Sequence, residues 1–182
     1  NEKGVSIAVL TLDSDPTYQQ TGKPMIATTL AIRLVLDRAA TTAEAVELLS
    51  KYDMFASSGR DYHFYITDAS GDGRVLEYDF IGMYKDNVLP NQRNGVYGHG
   101  RERCDAIEEI LDANAGSIDR EIAWQALQAA SQAPNPQDVT SNTQWSILYD
   151  NTALTAEAVI RRDWNTKTSY DLASNVAVTD VG

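Results

Sequence analysis

Apolar and polar positions along the chain follow two different periods. Residues 5–12, Val-Ser-Ile-Ala-Val-Leu-Thr-Leu, make a β-prone apolar run that predicts a buried strand. A polar, turn-rich stretch carries the chain to Pro24. The period then changes, and Ala27, Leu30, Ala31, Leu34 and Val35 fall at helical spacing on one face. A second helix is expected from Thr41, where Glu44 three residues on completes a capping box; its apolar face is Ala45, Leu48, Leu49 and Tyr52. So few residues separate these helices that an antiparallel pair covering a sheet is expected. Residues 62–68 return to strand patterning, Ser70-Gly71-Asp72-Gly73 is a turn signal, and residues 74–78 form the returning strand of a hairpin. The stretch 80–100 reads as an irregular loop rich in Asn and Gly, a length often tied to function.

The second half repeats the alternation. Ala106, Ile107, Ile110 and Leu111 predict a helix over 101–113, stopped by Gly116. Ser117 is the expected cap of another helix carrying Ile118, Ile122, Leu127 and Ala130. Pro134-Asn135-Pro136 breaks the pattern, and strands are expected at 143–149, 154–162 and 167–172. The order β, αα, ββ, αα, βββ predicts an α+β fold in which helix pairs cover antiparallel sheets. No repeat or low-complexity segment divides the 182 residues, and the Pro134 region reads as a loop inside one domain spanning 1–182.

Composition excludes some partners. A net charge of -11 gives no basic face for nucleic acid and no attraction to an anionic membrane surface. No apolar run reaches bilayer-spanning length. With one cysteine, Cys104, there is no disulfide within the chain and no Cys-rich zinc site; His63 and His99 do not make a zinc-binding pair, and no metal or cofactor is expected. The chain opens on Asn-Glu-Lys-Gly without an initiator Met, and localisation is not legible from that end.

Most candidate chemistry has a plainer reading. Cys104 near His99 suggests a thiol nucleophile, but its place beside Ala106 and Ile107 on a helix favours packing. Gly98-His99-Gly100 lacks the pattern of a dinucleotide loop. His63 in its strand is expected to be a satisfied core histidine. Asp13, Asp15, Asp68 and Asp72 fit no calcium loop and are expected in solvated turns. Trp124, Trp145 and Trp164 are expected in the core or at an interface. Arg101 and Arg103 stand at a helix N-terminus, the unfavourable end for a cation, which is the kind of local conflict that marks functional sites.

Asn1-Glu2-Lys3-Gly4 before a buried strand resembles a segment of the choloylglycine hydrolases, a family that includes bile salt hydrolases and penicillin V acylases. Thr28-Thr29 opening one helix, Ala43-Glu44-Ala45 in the next, and Asp61-Tyr62-His63-Phe64, Asp68-Ala69-Ser70-Gly71 and Val75-Leu76-Glu77-Tyr78 in the hairpin are similar to family segments in family order. Gly98-His99-Gly100-Arg101-Glu102-Arg103 and Thr143-Gln144-Trp145-Ser146 resemble the broader linear-amide hydrolase branch, which also takes in penicillin acyltransferases. The resemblance implies the C-terminal portion of an N-terminal-nucleophile hydrolase, an αββα sandwich that hydrolyses a linear amide of a small acyl compound. It implies an N-terminal Cys whose thiolate attacks the amide carbon while its own α-amino group takes the proton. Asn1 would offer its side-chain NH2 to the oxyanion, and Arg103, with Arg101 a close second, would support the nucleophile's surroundings.

The departures shape the functional expectation. The family's nucleophilic Cys, and the Arg and Asp near it, precede Asn-Glu-Lys-Gly, and Cys104 is internal. After Tyr78 the family carries a further strand and a Thr-Asn-Phe-like oxyanion segment, whereas here Asp79-Phe80-Ile81-Gly82 leads directly to Met83-Tyr84-Lys85; Asn87, Asn91 and Asn94 are left unassigned. The expectation is an amidohydrolase, homo-oligomeric and completed by an upstream segment, whose 182-residue portion alone is inactive. The alternatives are a catalytically silent domain that binds small ligands or assembles with itself, and an acyltransferase.

Overall fold

A computed structural model of the chain describes residues 1–12, 14–56, 59–77, 82–84, 100–174 and 176–181, with backbone alone at 82–84 and 176–181. Its contacts divide it into two units, Asn1–Gly100 and Arg101–Gly182.

In the first unit, β1 (Ser6–Leu12), β4 (Asp61–Thr67), β5 (Gly73–Glu77) and β6 (Gly82–Tyr84) form an antiparallel sheet in the order β1-β4-β5-β6. The helices α1 (Thr28–Arg38) and α2 (Thr42–Leu49) pack on it, α1 against β1 and α2 against β4 and β5. The strand alternation decides what they bury. Val5, Phe64 and Ile66 join Ala31, Val35, Ala45 and Leu49 in one buried cluster, with Ile7 and Leu76 at its margin. Removing such a side chain from water contributes about 1.5–3 kcal/mol. The expected box starts α2: Thr41 Oγ1 accepts from the Glu44 N–H at 3.1 Å, and Glu44 Oε2 accepts from the Ala40 N–H at 2.8 Å, one residue earlier than the usual partner.

Two features of this unit differ from the sequence reading. The segment 80–100, read as irregular, contributes β6, which pairs with β5. Residues 85–99, with His99 and the three unassigned asparagines, lie outside the described residues, as do Asp13 and the join at residues 78–81. Two three-residue strands, β2 (Met25–Ala27) and β3 (Asp53–Phe55), form a parallel pair too short for any period to announce.

In the second unit, α3 (Arg101–Ala113) packs with α4 (Arg120–Ala129), and α4 lies against an antiparallel meander of order β10-β9-β8-β7. Its strands are β7 (Trp145–Asp150), β8 (Thr155–Ile160), β9 (Thr166–Asp171) and β10 (Val176–Val181), the last absent from the sequence reading. Asp119, not Ser117, caps α4: its Oδ1 accepts from the Ile122 N–H at 2.9 Å. Trp124 is the buried anchor of α4. Its Nε1–H donates to Glu157 of β8 at 3.0 Å, its ring meets Trp164 edge-on at 6.3 Å, and Lys167 of β9 lies 4.9 Å from its centroid. No helix among the described residues is long and apolar enough to cross a membrane.

Candidate functional site

The N-terminal turn is built around Asn1. Its carbonyl accepts from the Gly4 N–H at 3.0 Å, and Gly4 takes φ 77°, a left-handed value that favours glycine. Asn1 Oδ1 accepts from the Lys3 N–H at 3.0 Å and the Val5 N–H at 2.9 Å. Asn1 Nδ2 donates to the carbonyls of Leu36 at 3.1 Å and Ala39 at 2.8 Å, at the C-terminal end of α1. One side chain thus closes the turn that leads into β1 and ties it to carbonyls that a helix end leaves without helical partners. Both amide hydrogens are engaged, so contact with an oxyanion would require one of these bonds to be given up.

Arg103 and Arg101 lie in the first turn of α3, in the second unit. Arg101 answers the helix-dipole conflict within its own helix: it reaches Asp105 at 2.7 Å and Glu108 at 2.9 Å, and these carboxylates raise its pKa. Arg103 is half-buried beside Cys104. Cys104 is buried, and burial pushes its thiol up against the pull of the Arg101 and Arg103 guanidinium groups. A thiol held protonated is a poor nucleophile, which agrees with the packing reading.

The sheet face of the first unit opposite the helices carries buried polar groups. His63 Nδ1 sits 3.0 Å from Glu77 Oε1, both enclosed and directly opposite across β4 and β5. This is the core histidine expected from the sequence, satisfied at Nδ1, whereas its buried Nε2 meets no hydrogen-bond partner among the described residues. Asp61, at the start of β4, accepts from Ser14 Oγ at 3.1 Å and from Thr17 Oγ1.

Two further aspartates do work the sequence reading missed. Asp68, expected in a solvated turn, is buried: its Oδ2 accepts from the Thr42 N–H at 2.8 Å, and its Oδ1 from the Ser70 N–H at 2.9 Å and Ser70 Oγ at 2.6 Å. Thr42 Oγ1 lies 3.1 Å from Asp68 Oδ2 and 2.7 Å from Asp72 Oδ2, so the hairpin turn and the start of α2 share one hydroxyl. Burial pushes the Asp68 carboxyl up, but the hydrogen bonds from Ser70 and Thr42 outweigh it and hold the pKa below its ordinary value. Asp53 sits in a cradle of three successive N–H groups, Thr21 at 2.7 Å, Gly22 at 3.1 Å and Lys23 at 3.2 Å, with Thr21 Oγ1 at 2.6 Å. The Thr21 hydroxyl, ahead of those amides, lowers its pKa against the effect of burial. Neither Asp68 nor the Asp53 cradle leaves a motif that sets it apart from an aspartate in a solvated turn.

Among the described residues no group of three or more His, Cys, Asp or Glu side chains forms a metal-binding cluster. The constellation tethers a turn, a helix start and a loop, and it contains no activated nucleophile among these residues.

The family model of the linear amide C-N hydrolases, choloylglycine hydrolase family, matches residues 1–96. No curated protein matches the sequence. Among solved structures, a variant of conjugated bile acid hydrolase from Clostridium perfringens is similar over all of this chain and 76% of its own, with TM-score 0.72 and 15% identity. A second variant of that enzyme gives TM-score 0.72 at 16% identity, over 99% of this chain and 75% of its own. Penicillin V acylase from Agrobacterium tumefaciens matches 98% of this chain and 63% of its own, with TM-score 0.59 and 16% identity. At such identities the likeness shows the fold, and it is the α+β fold with antiparallel sheets that the sequence implied.

Proposed function

The chain belongs to the choloylglycine hydrolase family of linear amide C-N hydrolases, and on that premise we propose that it is the larger part of an amidohydrolase acting on a small acyl amide through an N-terminal cysteine that the 182 residues do not include. The observation that carries the reading is the family match over residues 1–96, the segment that Asn1 closes onto α1. The thiolate adds to the amide carbon and its own α-amino group takes the thiol proton. The tetrahedral oxyanion collapses as the amine leaves with that proton, and water then cleaves the thioester. Cys104 has no part in this, being internal and buried with its thiol pushed up. Asn1 enters the proposal as a positioning residue, with its hydrogens on Leu36 and Ala39, and the oxyanion is left to other donors. Arg103, with Arg101 a close second, is kept for the nucleophile's surroundings on the resemblance of its position near the start of α3.

The test uses the full-length polypeptide and two probes, a glycine-conjugated bile salt and a phenoxyacyl penicillin, with product read by chromatography. The full-length protein is expected to release amine or acid from at least one of them. The 182-residue chain alone, and full-length protein with the N-terminal Cys replaced by Ala, are expected to release none. Product from either inactive form overturns the mechanism, and the absence of product from the intact protein overturns the activity.

A further inference from the structure

Residues 14–24 of the first unit form a strap held by polar contacts. Of these residues only Thr17 is buried, and none of their side chains joins the buried apolar cluster of the unit. Two carboxylates outside the strap fasten it. Asp53 takes the successive N–H groups of Thr21, Gly22 and Lys23, an arrangement that Gly22 permits with φ 93°. Asp61, itself buried, takes the hydroxyls of Ser14 and Thr17. Between these latches the strap runs along β3. The Gln19 N–H donates to the Met54 carbonyl at 3.1 Å, the Ala56 N–H to the Thr17 carbonyl at 2.9 Å, and the Met54 N–H to Gln19 Oε1 at 2.9 Å. Tyr18 lies edge-on against Phe55 with ring centroids 5.7 Å apart, and both rings are exposed.

We propose that this strap is a gate: it lifts as a unit while the sheet and helices stay folded, and lifting it bares the Asp61 carboxylate. The first support is the kind of contact that holds it. Hydrogen bonds from exposed backbone exchange for bonds to water, so breaking them costs far less than exposing a core, and the strap takes no core residue with it. The second is the spacing of the latches. Asp53 and Asp61 grip opposite ends of one continuous segment whose middle pairs with β3, so release at one end loosens the ladder that leads to the other. The third is what lies beneath. The carboxylate that opening releases stands two residues from buried His63 on the same face of β4. In the closed form Ser14 and Thr17 occupy that carboxylate, and it becomes available to a hydrogen-bond donor from outside only with the strap raised.

Native-state hydrogen exchange of the 182-residue chain tests the strap. Coupling of glycinamide to carboxylates by a carbodiimide, read by peptide mass spectrometry, tests the gate. The amides of Gln19, Thr21, Gly22, Lys23 and Ala56 are expected to share one opening, at least about 100-fold more frequent than that of the protected β4 amides. Low urea should leave this opening unchanged, because it exposes little surface. Asp61 should be labelled with the same indifference to urea. Asp53→Asn keeps an acceptor but removes the charge, and should speed the labelling of Asp61 by about tenfold, although Asp61 latches the other end of the strap. Gly22→Ala, whose Cβ has room but whose backbone is left-handed, should act in the same direction and serves where Asp53→Asn does not fold by circular dichroism. Strap amides as protected as β4, opening at unrelated frequencies, or following urea as β4 does, overturn the proposal. So does an Asp61 that is labelled only where β4 unfolds, or at a rate that the folded variants leave unchanged.

Discussion

Exchanging Asn1 for Asp alters almost no volume and isolates the donor half of that side chain. The carboxylate keeps the acceptor that Lys3 and Val5 use, and it removes the two hydrogens that meet Leu36 and Ala39 at 3.1 and 2.8 Å. At about 0.5–1.5 kcal/mol net per hydrogen bond, the two donor bonds contribute about 1–3 kcal/mol. A carboxylate against the carbonyl end of α1 adds about 0.3–1 kcal/mol of repulsion from the helix dipole. Asn1→Asp is therefore expected to destabilise the first unit by about 2.5 kcal/mol despite being nearly isosteric. All three tryptophans lie in the second unit, so their fluorescence would miss the effect. Native-state hydrogen exchange of amides in β1 and α1 reads it directly, and 2.5 kcal/mol corresponds to roughly 60-fold faster exchange of the most protected amides. An Asn1→Asp chain within about 0.5 kcal/mol of the parent at neutral pH would refute the tether and return the amide hydrogens to other duties.

Two further outcomes follow from the buried aspartates. Hydrogen bonds lower the Asp53 pKa in the folded chain, so its stabilisation is present above the unfolded value of about 3.9 and is lost as pH falls through the folded value. Asp53→Asn should cost more at pH 7 than at about pH 3, read as urea midpoints by circular dichroism; an equal cost at both refutes the carboxylate cradle. Thr42→Val keeps the shape of a buried residue but strips the proton shared by Asp68 and Asp72, for an expected loss of about 1–3 kcal/mol. Thr42→Ser should retain most of the stability, and indistinguishable Val and Ser variants would dismiss the shared hydroxyl.

The elements legible in the sequence are those whose period repeats or whose ends carry side-chain signals. The apolar stripes of α1 and α2, the Thr41 box and the turn at Ser70-Gly71 each state a local preference that packing then supports. Gly71 illustrates the last: with φ 82° it supplies the left-handed residue of a three-residue hairpin loop. The strands β2 and β3 were illegible because three residues hold no period, and their partners lie about thirty positions apart. The cap of α4 was misplaced because Ser117 and Asp119 are both good caps, and the choice is made by where the backbone turns. At the candidate site, His63 was legible as core from its neighbours in an apolar strand. Asp68 and Asp53 were not, because an aspartate in a turn reads the same whether it faces water or a cradle of N–H groups. The commitment of the Asn1 amide to α1 depends on a helix end more than thirty residues downstream, which no local reading contains.

The reach of Asp68 across the 26 residues back to Thr42 also bears on how the first unit assembles. An eight-residue helix such as α2 is too short to persist alone in water. One of its first N–H groups, and the negative charge that suits its positive end, arrive only when the tip of the hairpin is already folded beneath it. The start of α2 is thus conditional on the β4–β5 turn, and the turn in part on α2 through the shared Thr42 hydroxyl. Neither should be found formed without the other, so the hairpin and the helix above it make and break as a single cooperative step.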